Sequence, residues 1–165
     1  MTVLTETVDT TARAIEAGLF TWPAAQPRLI GSRCKACGLV TFPSTSGCSR
    51  CTANDTEQYL LATTGELWTW TVQGFRPKSP PYEGPVDFTP YLVGYVALPG
   101  EVKVETLIVG VAVDDVKIGM PMELVIVPFH SSVTDDALVT FAFQPVSAAR
   151  HAVFTTAANP SNTGA

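Results

Sequence analysis

The chain has 165 residues, of which 46 % are hydrophobic and 15 % are charged, and its formal net charge is −5. This composition excludes a wholly disordered chain, which combines little apolar content with much charge. No stretch reaches the roughly 18 consecutive apolar residues that a membrane span needs. The first twenty residues lack a basic start followed by an apolar block. We therefore expect no secretory signal, no membrane segment and a cytoplasmic location.

The charge is unevenly distributed. Residues 1–60 hold five basic and five acidic side chains, whereas residues 61–165 hold five basic and ten acidic ones. A protein that neutralises the phosphates of a nucleic acid concentrates lysine and arginine on its binding surface. The larger part of this chain does the opposite, so we expect no nucleic-acid partner.

The segment 8–30 predicts a short N-terminal helix followed by a proline-punctuated connector. Asp9 or Thr10 could cap the start of the helix, and Gly18 suggests its end. Four apolar residues recur at helical spacing: Val8, Ala12, Ile15 and Leu19. Two alternatives stay open for this apolar stripe, namely packing on the chain's own domain and docking on a partner.

From Tyr59 onward the pattern changes to strands. Five segments rich in β-branched and aromatic residues are typical of strands, and they span 65–75, 91–98, 102–113, 122–129 and 138–143. In the first segment, alternation places Trp68 and Trp70 on one face. Five such strands predict a small closed barrel of the OB type over 59–145, with a short sandwich as the alternative.

Two segments carry few strand signals. The piece 114–121, between the third and fourth strands, is short for the helix that many OB-folds insert there. The stretch 146–165 consists mostly of alanine, serine, threonine, asparagine and glycine. With little to bury, it is predicted to be a flexible C-terminal tail.

The longest irregular stretch within the barrel region is 76–90, which contains five prolines. A loop of this length in a compact domain is usually functional or mobile, and proline stiffens it by fixing φ. It carries a basic pair, Arg76 and Lys78, beside the aromatic residues Phe75 and Tyr82. These four residues predict a ligand or partner loop. A solvated connector is the alternative.

All cysteines of the chain lie within 31–58, in two Cys-x-x-Cys pairs separated by ten residues: Cys34, Cys37, Cys48 and Cys51. Two such pairs can close a tetrahedron of thiolates around Zn²⁺, and four protein ligands leave no open position for catalysis. Two disulfides would need an oxidising compartment, which nothing in the sequence supports. Four thiolates also suit iron. The spacing predicts a structural zinc ribbon over 31–58.

Each cysteine pair is expected to lie on a tight turn whose amides point at the sulfurs. Gly38 directly follows Cys37, and glycine readily adopts the positive φ that such a turn requires. Thr52 stands at the corresponding place after Cys51.

The sequence contains no recognisable catalytic constellation. His130 and His151 lie in no zinc, triad or helical histidine motif, and the cysteines are assigned to the metal. No nucleophile elbow, Walker loop or dinucleotide fingerprint is present. The chain taken by itself is therefore not expected to be an enzyme.

The order of a zinc ribbon followed by an OB-type barrel is found in a known protein family. The chain resembles a zinc-ribbon/OB-fold family over about residues 12–145. Four segments carry the resemblance: the ribbon CKACGLVTFP…CSRC, then GELWTWTV, PYLVGYVALPGEVKVETLIVG and IGMPMEL. That family was first labelled domain of unknown function 35 and is found beside thiolase-superfamily enzymes. The resemblance implies a mainly β protein with a rubredoxin-like zinc ribbon and a five-stranded OB-fold barrel. One departure concerns Phe42-Pro43-Ser44-Thr45, where the family often has Phe-Pro-Pro-Arg; Arg50 could partly substitute for that arginine.

The resemblance further implies a non-catalytic accessory subunit. Members of the family bind thiolases or thiolase-like aldolases that make or cleave C–C bonds in acyl-CoA thioesters. A hetero-oligomer with such an enzyme, sharing its acyl-CoA site, is the expectation for this chain. Two alternatives are a zinc-ribbon/OB protein that binds single-stranded nucleic acid, and a stand-alone acyl-CoA binder.

Overall fold

The computed structural model describes residues 8–78 and 82–147, which form nine strands and no helix. The predicted mainly β class is confirmed. Within this part of the chain there is no helix long and apolar enough to cross a membrane. The predicted C-terminal tail lies outside the described residues from position 148 onward. The strands are β1 (Arg13–Ala14), β2 (Ile30–Cys34), β3 (Val40–Thr41), β4 (Thr56–Leu60), β5 (Thr64–Gln73), β6 (Tyr91–Ala97), β7 (Lys103–Ile108), β8 (Pro121–Phe129) and β9 (Leu138–Pro145).

Strands β5 to β9 close into a five-stranded barrel. The neighbours run β5-β6-β7-β9-β8, and β8 returns to β5 through pairs such as Gly65 with Met122. Only β7 and β9 within this ring are parallel to each other. This closure is the predicted OB-type barrel, and it excludes the sandwich, because a sandwich keeps two separate sheets.

A bulge in β5 separates two tryptophans that simple alternation would place together. Trp68 is left unpaired between Leu67 and Thr69. Its side chain is 52 % exposed, and its ring meets Tyr95 edge-to-face on the outer surface. Trp70 instead packs against the core. The expectation of one shared face is therefore wrong, because the extra residue of a bulge shifts the alternation by one position.

The ribbon is a small antiparallel sheet with the order β3-β2-β4. It packs directly on the barrel, and both contribute to one hydrophobic core. Phe42, just after β3, meets Phe141 of β9 edge-to-face at 5.6 Å, and Phe20 approaches the same ring at 6.2 Å. Leu61, at the junction of ribbon and barrel, is fully buried.

The predicted N-terminal helix is wrong. Asp9 forms a turn in which its side chain accepts the Thr11 amide and its carbonyl accepts the Ala12 amide. The chain then enters β1, which pairs in parallel with β9 beyond the end of β7. A helix this short is marginal in water. The backbone groups of this segment form hydrogen bonds in the aspartate turn and with the free edge of β9 instead of within a helix.

Of the two alternatives for the N-terminal apolar residues, packing on the chain's own domain is the one the structure displays. Ala12 is buried, and Val8 and Leu19 pack against the core. The Trp22 indole N–H donates to the Ala12 carbonyl at 2.7 Å. Ile15 keeps 37 % of its surface exposed.

Candidate metal centre and partner loop

The four cysteine sulfurs converge at one end of the ribbon. Their Sγ atoms all lie within 4.8 Å of one another. The two contacts between the turns join Cys34 to Cys51 at 3.6 Å and Cys37 to Cys48 at 3.5 Å. A tetrahedral zinc with Zn–S bonds of about 2.3 Å needs S–S separations of about 3.8 Å. The sulfurs therefore fit a closed tetrathiolate zinc site.

The two cysteine turns repeat one geometry. The Gly38 amide donates to the Cys34 carbonyl at 2.8 Å, and the Thr52 amide donates to the Cys48 carbonyl at 3.0 Å. Gly38 has a φ of 74° and Thr52 a φ of 60°. Thr52 is the one non-glycine residue with positive φ in the part of the chain that the structure describes. The repeat explains how two short loops with little core of their own present sulfurs symmetrically.

Backbone amides and neighbouring sulfurs set the charge of the site. The amide of Cys51, followed by that of Arg50, lowers the pKa of Cys48 to about 6. The Ala53 amide lowers the pKa of Cys51, but hydrogen bonding with the three other cysteine sulfurs raises it to about 12. Cysteine binds a metal as the thiolate, so binding of a cation at this site would release protons.

Zinc bound here joins the two turns and serves the fold. Four cysteine ligands fill the coordination shell, so no position is left for a reactive water. This donor set confirms the predicted structural zinc. The ribbon's stability should consequently depend on the metal.

A hydroxyl network behind the metal site was not predicted from the sequence. Buried Ser32 contacts the Thr41 hydroxyl at 2.9 Å and accepts the Thr45 amide at 3.0 Å. The Thr56 hydroxyl donates to the Thr45 carbonyl at 2.9 Å. Thr45 stands where the family often has arginine, and here it fixes the loop between the cysteine pairs. Arg50 is exposed between Cys48 and Cys51, and its suggested substitution for that arginine stays a prediction.

The residues of the predicted ligand or partner loop differ in exposure, and Tyr82 is half-buried. Phe75 is 71 % exposed, and Lys78 is also exposed. The Arg76 guanidinium lies 5.4 Å from the centre of the Tyr82 ring. This separation is within the range of a cation–π contact.

An aromatic row joins this loop to the barrel. The Tyr82 ring meets Phe88 edge-to-face at 6.1 Å, and Phe88 meets Tyr91 of β6 at 5.9 Å. Burial, followed by the nearby Tyr82, raises the pKa of Tyr91. Arg76 therefore sits at the outer end of a row whose inner end, Tyr91, is neutral and belongs to the barrel.

The remaining candidate groups form no catalytic arrangement among the described residues. His130 is exposed directly after β8, with no hydrogen bond or ion pair in this part of the chain. Asp136 in the same connection is exposed and pairs with Arg13 at 3.0 Å. His151 lies outside the described residues.

The fold and the metal site define a zinc-ribbon/OB-fold protein, and comparison with known proteins identifies the family. Residues 21–57 match the ChsH2 rubredoxin-like zinc ribbon domain, and residues 58–127 match the ChsH2 C-terminal OB-fold domain. A DUF35 domain-containing scaffold protein of Methanocaldococcus jannaschii is 32 % identical over 120 residues, which cover 70 % of this chain and 79 % of the relative. The chain belongs to this ChsH2-type family of DUF35 proteins.

Two further relatives are similar over a comparable part. A probable enoyl-CoA hydratase alpha subunit of Thermomonospora curvata is 34 % identical over 101 residues, which cover 61 % of this chain but only 30 % of that longer protein. A solved structure titled Ltp2-ChsH2(DUF35) aldolase has a TM-score of 0.55 and 28 % identity, covering 72 % of this chain and 84 % of the other. The resemblance to the DUF35 family drawn from the sequence is confirmed.

Proposed function

We propose that this chain is a non-catalytic accessory subunit that binds and supports a thiolase-superfamily enzyme. That enzyme, a thiolase or an acyl-CoA side-chain aldolase, makes or cleaves C–C bonds in acyl-CoA thioesters. The observation that carries the proposal is the similarity to the solved Ltp2-ChsH2(DUF35) aldolase, which covers 72 % of this chain. The name of the archaeal relative, a scaffold protein, points in the same direction.

The chemistry of the described residues favours a non-catalytic role for this chain. The cysteines, which are the strongest nucleophiles in the sequence, belong to the zinc site. Exposed His130 shares a pocket with Asp135 and Asp136, but it forms no ion pair in the described part of the chain, and Asp136 pairs with Arg13 instead. In this proposal the partner supplies the reacting groups, and this chain supplies a rigid surface next to them.

The loop residues Phe75, Arg76, Lys78 and Tyr82 form the proposed contact with the shared acyl-CoA site. Arg76 contacts the Tyr82 ring, and Lys78 adds a second positive charge. Guanidinium groups bind phosphates through paired, charge-assisted hydrogen bonds.

Assembly is tested first. The tagged full-length chain is purified from its native source, the bound proteins are identified by mass spectrometry, and the complex is rebuilt from recombinant subunits and sized. We expect a stable hetero-oligomer with a thiolase-superfamily protein. A chain that elutes alone when mixed with every such protein of its source would contradict the proposal.

A further inference from the structure

The four cysteine ligands differ in their access to solvent. Cys34 and Cys48 are buried, with 2 % and 6 % of their surfaces exposed, whereas Cys37 is half-buried and Cys51 is exposed. All cysteines of the sequence lie in the part of the chain that the structure describes, so this ranking covers every thiol. Oxidation of cysteine follows thiolate character and exposure. A reagent that approaches from solvent therefore meets Cys51 first.

A second sulfur lies within reach of Cys51. The Cys34 Sγ is 3.6 Å from the Cys51 Sγ, and this contact crosses from the first cysteine turn to the second. The other contact between the turns, from Cys37 to Cys48 at 3.5 Å, joins a half-buried residue to a buried one. An oxidised cysteine with a thiolate beside it condenses to a disulfide. The pair of Cys51 and Cys34 combines that proximity with access from solvent.

The turn that contains Cys51 is also the more strained of the two. Thr52, directly after Cys51, has a φ of 60°, a left-handed conformation that is unfavourable for a β-branched residue. Gly38, at the same place after Cys37, adopts its φ of 74° without a comparable cost. Detachment of Cys51 from a metal would let Thr52 return to an ordinary φ. Strain and exposure therefore both favour opening of the metal site at Cys51.

We propose that Cys51 is an oxidation site, at which a hydroperoxide opens the metal site with Cys34 as the second reacting cysteine. The Cys51 thiolate attacks the terminal oxygen of the peroxide, the O–O bond breaks, and the departing oxyanion takes a proton from water. Cys51 becomes a sulfenic acid. The Cys34 thiolate then attacks the Cys51 sulfur, the S–O bond breaks, hydroxide leaves, and a disulfide forms. The two sulfurs lose two electrons, and the peroxide gains them.

This reaction would release the metal and yet be reversible. Two thiolates remain, those of Cys37 and Cys48, and they cannot complete the four-coordinate shell of a structural zinc site. A Cys34–Cys51 disulfide joins the two turns, so reduction restores all four ligands near their original places. A Cys48–Cys51 disulfide would lie within one turn and leave the turns unconnected. The inference concerns the chain by itself and does not rest on the proposed function.

The test uses the purified, zinc-loaded full chain and one equivalent of hydrogen peroxide. A colorimetric chelator follows the release of zinc, and mass spectrometry of the alkylated, digested protein identifies the disulfide. We expect loss of the zinc, a Cys34–Cys51 disulfide, and renewed zinc binding after reduction with dithiothreitol. Retention of zinc in excess peroxide, or a first disulfide between other cysteines, would overturn the proposal.

Two histidine variants locate the reactive residue, because histidine also serves as a zinc ligand in ribbon sites. Cys51→His lacks the exposed thiolate, so peroxide should release its zinc at least about tenfold more slowly than from the parent. Cys37→His keeps Cys34 and Cys51 and should release zinc at a rate close to that of the parent. Each rate is corrected for release without peroxide. Equal rates for the two variants would contradict the assignment.

The parent chain decides the matter if a histidine variant does not bind zinc. Zinc-loaded parent is treated with less than one equivalent of iodoacetamide, and the labelled peptides are identified by mass spectrometry. We expect the label on Cys51 before any other cysteine. A label that appears first on Cys37 would overturn the proposal.

Discussion

Thr52 occupies in the second cysteine turn the backbone position that Gly38 occupies in the first, and both have positive φ. A β-branched residue is strained in this conformation, at about 1–2 kcal/mol per residue for L-amino acids. Space is not the reason for glycine at position 38, since an added Cβ would meet nothing within 4 Å. The strain at Thr52 is therefore a property of the backbone, held in place by the metal site.

Reciprocal substitutions should have opposite effects. Thr52→Gly should raise the free energy of unfolding by about 0.5 kcal/mol, because the relief of strain exceeds the entropy cost of glycine. Gly38→Ala should lower it by about 1 kcal/mol. Urea unfolding of both zinc-loaded variants measures the difference. Equal stability of the two variants would mean that the turns do not impose this conformation.

The zinc content of the protein can be measured directly. Purified protein should contain one zinc per chain, and Cys34→Ser should lose it and unfold the ribbon, because the metal supplies much of the folding energy of such a module. Ser49→Ala, at an exposed residue within the second turn, is the matched control and should keep the metal. Elemental analysis and circular dichroism measure both. Iron in the protein, or a folded Cys34→Ser variant without metal, would contradict the site.

Two polar side chains tie the ribbon to the barrel at the junction. The Arg28 guanidinium donates to the carbonyls of Leu60 and Leu61 at 2.7 and 2.9 Å. Glu101, from the turn after β6, accepts the Ala62 amide at 2.9 Å. Hydrogen bonds to charged groups stabilise the folded state more than bonds between neutral groups do. When one partner is removed, the other is left buried without a hydrogen bond, which lowers the free energy of unfolding.

Arg28→Met should therefore lower the free energy of unfolding by about 2 kcal/mol without changing the zinc content. Arg50→Met, at an exposed ribbon arginine, should change it by less than about 0.5 kcal/mol. Thermal and urea unfolding at fixed zinc concentration test the pair. Loss of zinc from Arg28→Met would show that the arginine acts on the ribbon rather than on the junction.

How far the sequence predicts this structure depends on the range of the deciding interactions. The zinc site and the barrel strands were predictable because cysteine spacing and strand composition are local signals. The N-terminal helix failed because β1 pairs with β9, more than 120 residues away in the sequence. The exposure of Trp68 depends on a bulge that only the pairing with β6 defines. The hydroxyl network of Ser32 follows from packing and has no sequence signal.

The outer face of the barrel predicts weak binding of single-stranded nucleic acid. OB-folds that bind single strands combine basic grooves with aromatic platforms. Here the Trp68 ring is covered by Lys103 at 3.7 Å, and the Tyr95 hydroxyl donates to Glu105 at 2.9 Å. Both rings thus contact charged groups of the protein itself, and the acidic excess of residues 61–165 disfavours a phosphate backbone. Fluorescence anisotropy with labelled DNA and RNA oligonucleotides at about 150 mM salt should detect no sub-micromolar binding, and such binding would favour the alternative function.

The central claim is that this chain supports catalysis by another protein. The most direct measurement is the rate of C–C bond cleavage or formation in an acyl-CoA thioester by the thiolase-superfamily partner, alone, with this chain, and with the zinc-free Cys34→Ser variant. We expect turnover only when the partner and the zinc-loaded chain are combined, and none by the chain alone. Turnover by this chain alone, or a partner rate that is the same with and without it, would contradict the account.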